Sequence, residues 1–168
     1  MSVMMDRLVG YFPAWAAARM YRPVLYIEGG WEGWLQADFL AWCNTVHDTF
    51  PIRRECSEPF AATLEHRRKV DWILNSDSTD RDRRFCIELK AQGTKYLQSD
   101  FVADVMRDLD KLRSIPATYP CTKVIFIATL ENATKIAVQA AVGSDFKFCP
   151  PLVVERETLA QFSYLEWT

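Results

Sequence analysis

Lys69-Val70-Asp71-Trp72-Ile73-Leu74 and, after ten residues without an apolar side chain, Phe85-Cys86-Ile87-Glu88-Leu89-Lys90 are two short runs of β-forming residues. Each is bounded by charged and turn-forming residues, so each reads as a strand. Side chains alternate between the two faces of a strand. Glu88 and Lys90 therefore share one face, and Ile87 and Leu89 share the other. Asp71 interrupts the first run in the same way. A half-buried carboxylate is costly unless it is paired or holds a metal. A hairpin through residues 75–84 can bring Asp71 beside Glu88 and Lys90. Two adjacent carboxylates repel, and a divalent cation relieves that repulsion. Magnesium suits such a site, because it prefers oxygen ligands and is commonly held by one or two carboxylates and substrate phosphates.

Asp71, sixteen intervening residues and Glu88-Leu89-Lys90 resemble the PD-(D/E)XK signature of restriction-endonuclease-like nucleases. Val70 stands where the signature has its proline. The resemblance implies an α/β fold with an αβββαβ core, a central mixed sheet flanked by helices. It spans roughly residues 28–130 of one domain, with residues 1–27 as an N-terminal helical extension and 131–168 as a C-terminal helix and peripheral strands. It implies catalytic roles for Asp71, Glu88 and Lys90, with Gln92 continuing the same face. It implies that Mg2+ or Mn2+ is held by Asp71, Glu88, the Leu89 carbonyl and a helical glutamate. Glu32 is the first candidate for that glutamate and Glu28 the second. The implied reaction is hydrolysis of phosphodiester bonds, in DNA first.

The flanking sequence supplies the elements such a core needs. Trp31, Trp34, Leu35, Phe39, Trp42, Cys43 and Val46 recur at helical spacing, which predicts a helix over 31–49 with its stop at Pro51. Ile52–Cys56 alternates and predicts the first strand, with 60–65 extending or pairing with it. Residues 75–84 predict an exposed, mobile hairpin loop. Ser99 predicts an N-cap for a helix over 100–114, with an apolar stripe of Phe101, Val105, Leu109 and Leu112. Lys111 and Arg113 near its end suit the helix dipole. Lys123–Thr129 is continuously apolar between its ends, the pattern of a strand buried on both faces. A helix over 132–142 stopped by Gly143 follows, then peripheral strands at 152–155 and 162–167. The N-terminal residues 2–20 have helix-compatible composition around Leu8, Phe12, Trp15 and Ala16, with Pro13 limiting regularity. The aromatic stretch 11–26 reads as a partner surface, as a membrane-surface contact or as a segment packed on the core.

Composition bounds the rest. The 168 residues are 49% apolar and 25% charged, ordinary for one globular domain. The net charge of −2 argues against general nucleic-acid affinity. Residues 53–95 nonetheless carry ten basic and eight acidic side chains, a local +2. Arg53, Arg54, Arg67, Arg68 and Lys69 are the candidate phosphate contacts. The five cysteines lack a Cys-x-x-Cys pair and read as buried thiols of a cytoplasmic protein. His47 and His66 suggest no site. The sequence predicts no membrane span. The partners predicted are DNA and a homodimer or partner protein that supplies specificity. The alternative is a non-catalytic binding or regulatory protein that keeps the nuclease fold, or an unrelated α/β interaction protein whose charges coincide.

Overall fold

The computed structural model describes residues 10–11, 14–19, 31–46, 52–61, 67–143, 147–148, 152–154 and 157–167. Its ordered elements are α1 (Glu32–Val46), β1 (Ile52–Cys56), β2 (Val70–Leu74), β3 (Phe85–Ala91), α2 (Gln98–Arg113), β4 (Thr122–Thr129) and α3 (Asn132–Val142). They are followed by β5 (Lys147–Phe148), β6 (Leu152–Val154) and β7 (Glu157–Trp167). The fold is α/β. The strand order is β1-β2-β3-β4-β7-β5, with β6 paired to β7. The β3–β4 pair is parallel and the other pairs are antiparallel, so the sheet is mixed.

The parallel pair follows from chain length. Residues 92–121 are enough for a helical crossover, which parallel strands require. That crossover is α2, whose Phe101, Val105, Leu109 and Leu112 are fully buried. They pack with Ile73, Cys86, Ile125 and Ile127 on one face of the sheet. On the other face α1 lays Trp31, Leu35, Phe39, Trp42 and Cys43 against Trp72, Leu74, Ile87, Leu89, Val124 and Phe126. Alternation along β3 therefore assigns Ile87 and Leu89 to the α1 face and Glu88 and Lys90 to the α2 face.

Several boundaries differ from the sequence expectations. The helix expected over 31–49 is described as Glu32–Val46; residues 47–51, with His47, lie outside the described residues. Residues 14–19 are helical, and Trp15 and Ala16 are buried among the α1 side chains; Leu8 and Phe12 lie outside the described residues. Residues 58–60 do not extend β1. They form a short 3-10 helix with Pro at its start, and proline cannot donate to a ladder. The 62–66 segment, with His66, lies outside the described residues.

The 75–84 connection is exposed at Asp77 and over 79–83, as expected, and is braced at its ends. Asn75 Nδ2 donates to the Arg83 carbonyl at 2.7 Å, and Thr122 Oγ1 donates to the Arg81 carbonyl at 3.2 Å. Asn75, Ser76 and Arg84 are buried, and Asn75 takes the left-handed conformation (φ 51°) that asparagine tolerates better than most residues. Ser99 does not cap α2. The helix begins at Gln98 with Leu97 as its extended N-cap residue, which puts Ser99 inside the first turn.

The largest topological correction concerns the C-terminal strands. The strand expected at 162–167 is part of β7, and it is not peripheral. It pairs with β4 from Lys123↔Trp167 to Thr129↔Gln161, with β5 on its far edge. Ser163 and Tyr164 are buried as a result. Gly143 closes α3 at φ 104°, as expected of a glycine after a helix. Cys43, Cys56, Cys86 and Cys121 are free and buried; Cys149 lies outside the described residues. Among the described residues no helix is long and apolar enough to cross a membrane.

Candidate functional site

The β2–β3 ladder runs Leu74↔Phe85, Ile73↔Cys86, Trp72↔Ile87. One step further along that register sets Asp71 opposite Glu88. There the strand pairing gives way to side-chain acceptors. The Leu89 N–H donates to Asp71 Oδ2 at 2.8 Å, and the Ala91 N–H donates to Glu32 Oε2 at 3.1 Å. Buried backbone donors need partners, so the end of β3 itself calls two carboxylates to its edge. A strand residue directs its N–H and C=O to the same side. The Leu89 carbonyl therefore lies on the edge that Asp71 occupies. Glu32 reaches this point from the first turn of α1.

Helix α2 completes the cluster from above. Lys90 Nζ lies 3.5 Å from Glu32 Oε2 and 3.1 Å from Asp108 Oδ2. Lys111 Nζ lies 2.6 Å from Glu88 Oε2 and 3.6 Å from Asp108 Oδ1. Asp108 thus offers one oxygen to each lysine. Glu88 is 1% exposed, and its second oxygen, Oε1, has no hydrogen-bond partner. Four carboxylates and two ammonium groups leave the fully ionised cluster at −2.

The environment resists that full ionisation. Burial, reinforced by the Asp71 carboxylate, pushes Glu88 up to about 9, and Lys111 only partly offsets this. Burial likewise raises Asp71 and Glu32; the Leu89 N–H and Lys111 oppose it at Asp71, and Lys90 opposes it at Glu32. For Lys90 burial works toward the neutral amine. Glu32 and Asp108 outweigh it and hold the ammonium above its ordinary range. Glu88 and Asp108 do the same for Lys111 against the same burial.

Asp71, Glu88, Lys90 and Glu32, all singled out from sequence, therefore converge. Gln92 does not join them. Its Nε2 donates to Thr134 Oγ1 at 3.1 Å, its Oε1 accepts from the Leu130 N–H at 3.0 Å, and its own carbonyl accepts from Trp31 Nε1 at 2.7 Å. These bonds make Gln92 a buried bracket between β3, α3 and α1. It shares the face of Glu88 and Lys90 but lies past the end of the cluster, under α3. Glu28 lies outside the described residues.

The five candidate phosphate contacts do not form one surface. Arg53 is turned onto Glu58, and Arg54 Nη2 donates to Gln36 Oε1 of α1 at 3.2 Å. Because consecutive strand residues point to opposite faces, these two arginines are separated by the sheet. Arg67, Arg68 and Lys69 are exposed immediately before β2, at the end that carries Asp71. Arg68 Nη1 donates to Ser114 Oγ at 3.2 Å, which ties that segment to the end of α2.

Sequence reasoning missed Asp108 and Lys111. A signal existed for the first. Asp108 falls seven residues after Phe101 and three after Val105, on the stripe that faces the sheet. A carboxylate on an otherwise apolar stripe requires a partner, and Lys90 and Lys111 are its partners. Lys111 instead reads as an ordinary dipole-stabilising cation until the register of α2 against β3 is known.

Among the described residues no group of three His, Cys, Asp or Glu side chains is placed to hold a metal ion. The cluster's acceptors are all carboxylate oxygens, and Glu88 Oε1 is buried without a partner. No protein-family model matches the chain, and no curated protein or solved structure matches it significantly.

Proposed function

We propose that the chain is a metal-dependent nuclease with a restriction-endonuclease-like core, hydrolysing phosphodiester bonds in DNA. The observation that carries this reading is the meeting of Asp71, Glu88, Lys90 and Glu32, from three separate elements, at the open end of the β2–β3 ladder. The element order α1-β1-β2-β3-α2-β4 supports it.

Asp71, Glu88, the Leu89 carbonyl and Glu32 would hold Mg2+ or Mn2+. When bound, such an ion lowers the pKa of a coordinated water and polarises a phosphate oxygen. The protein's own groups do the remaining work. Lys90 is kept cationic by Glu32 and Asp108, so it serves as a hydrogen-bond donor and fixed positive charge, not as a base. It orients the attacking water or a phosphate oxygen and offsets negative charge that develops in the transition state. Asp71 and Glu32 each hold a backbone N–H of β3, which fixes their carboxylates before substrate arrives. Arg67, Arg68 and Lys69, exposed at the same end of β2, steer the phosphate backbone.

One observation favours the non-catalytic reading. Lys111 lies 2.6 Å from Glu88, so the cluster is already partly neutralised from within. Cleavage of plasmid and single-stranded DNA with Mg2+ or Mn2+, wild type beside Lys90→Ala, separates the two. The nuclease reading expects metal-dependent cleavage by the wild type alone. Folded protein that cleaves with neither sequence leaves the binding reading in its place.

A further inference from the structure

Lys111 is the one charged group in the cluster with no place in the reading above, and its geometry gives it one. Its ammonium sits 2.6 Å from Glu88 Oε2 and 3.6 Å from Asp108 Oδ1. Those two carboxylates come from different elements, β3 and α2, and Lys111 bridges them. Glu88 is 99% buried yet keeps Oε1 without a partner beside Lys111. A single ammonium leaves this buried carboxylate pair half satisfied. Oxygen donors from separate elements and an orphaned buried oxygen together describe a place suited to a divalent cation.

We propose that Lys111 is a resident counter-cation that a divalent metal displaces from Glu88, and that Asp108 is the carboxylate the two cations share. This rests on the metal-binding reading of Asp71 and Glu88. A divalent ion on Glu88 and an ammonium against the same oxygen repel at short range in a poorly screened site. Both cannot stay. Lysine is fitted to leave: its charge is a point on a flexible stem with three rotatable donors. Asp108 sits one turn before it on the same helix and can keep hold of the released amine. Lys111 thus sets the metal affinity of the resting protein, and its release adds a second mobile cation beside Lys90 for an incoming phosphate.

The test is calorimetric titration of Mn2+ into the wild type, Lys111→Met, Lys111→Gln and the control Arg113→Met. Arg113 is an exposed cation on the same helix, held by Asp110. Lys111→Gln keeps a hydrogen-bond donor for Glu88 should Lys111→Met fail to fold. Both Lys111 variants are expected to bind Mn2+ about tenfold more tightly or better, while Arg113→Met stays within about twofold of wild type. In parallel, acylation of Lys111 in the wild type, read by mass spectrometry, is expected to speed up when Mn2+ is added. Equal Mn2+ affinity in wild type and folded Lys111 variants overturns the inference alone. So does unchanged Lys111 labelling in metal-loaded protein. Absence of Mn2+ binding in every folded variant overturns the metal reading and this inference together.

Discussion

The face of the sheet under α1 and the face under α2 are packed in different ways. Under α1 the contact is apolar almost throughout, dominated by Trp31, Phe39, Trp42 and Trp72, with Phe39 and Trp72 stacked at 5.5 Å. Under α2 the contact begins the same way, with Phe101, Val105, Leu109 and Leu112, and then turns ionic at Asp108 and Lys111. Apolar burial stabilises in proportion to area and is indifferent to pH. Buried charge stabilises only while each partner is present, and removing one partner is strongly destabilising. Both faces hold the sheet by apolar burial, and only the α2 face adds buried charge. The α2 face adds to its apolar core a charged cluster whose contribution depends on protonation.

The largest expected effect that would sharpen this contrast lies on the α1 face. Phe39→Ala, at a fully buried position, is expected to lose about 3–5 kcal/mol of stability in denaturant unfolding. That loss should be the same at pH 6 and pH 9. A loss that varied with pH would mean the two faces are not separable.

Next comes Asp71→Ala on the charged face. It is expected to lower metal-dependent cleavage by about 10²-fold or more, the scale seen when a preorganised charged contact to a reaction centre is removed. Circular dichroism should show the fold intact. Activity surviving in a folded Asp71→Ala protein would falsify the site assignment.

The pH dependence of stability distinguishes the faces more finely. Glu88 is raised from 4.5 to about 9 in the folded protein. Below pH 4.5 it is protonated whether folded or unfolded. Between 4.5 and about 9 the unfolded chain gives up this proton and the folded chain keeps it, so stability falls as pH rises; above about 9 the effect is complete. The slope from one such group is at most about 1.4 kcal/mol per pH unit. Asp71 and Glu32, also raised, add to it in the same direction. Glu88→Gln should flatten the slope in urea unfolding measured from pH 5 to 9, whereas Phe39→Ala should leave it as it is. An unchanged slope in Glu88→Gln would show that the buried carboxylate is not the source.

The smallest effect belongs to neither face. Arg67→Ala and Lys69→Ala are each expected to weaken DNA binding several-fold and to lower the salt slope by about 1. Arg54→Ala, whose guanidinium is turned to Gln36 on the α1 side, should leave that slope unchanged. A salt slope that responds to Arg54 as strongly as to Lys69 would mean the basic surface extends around β1.

Much of this was legible from local pattern. Alternation in Phe85–Lys90 assigned Glu88 and Lys90 to one face, and the apolar periodicities of 31–46 and 101–112 located both helices. These features depend on periods of two and 3.6 residues, which the chain carries within a few neighbours. Three things were decided only by tertiary structure. Gln92 kept its face but was claimed by Leu130 and Thr134, because the end of β3 passes under α3. The 162–167 segment became part of an inner strand, because β4 had a second edge to pair and nothing in the local sequence says which strand will take it. Asp108 and Lys111 became partners of Lys90 and Glu88, because the parallel crossover fixes how α2 rotates over β3. Local periodicity tells which face a side chain takes on its own element; which charge it meets there depends on register between elements far apart in the chain.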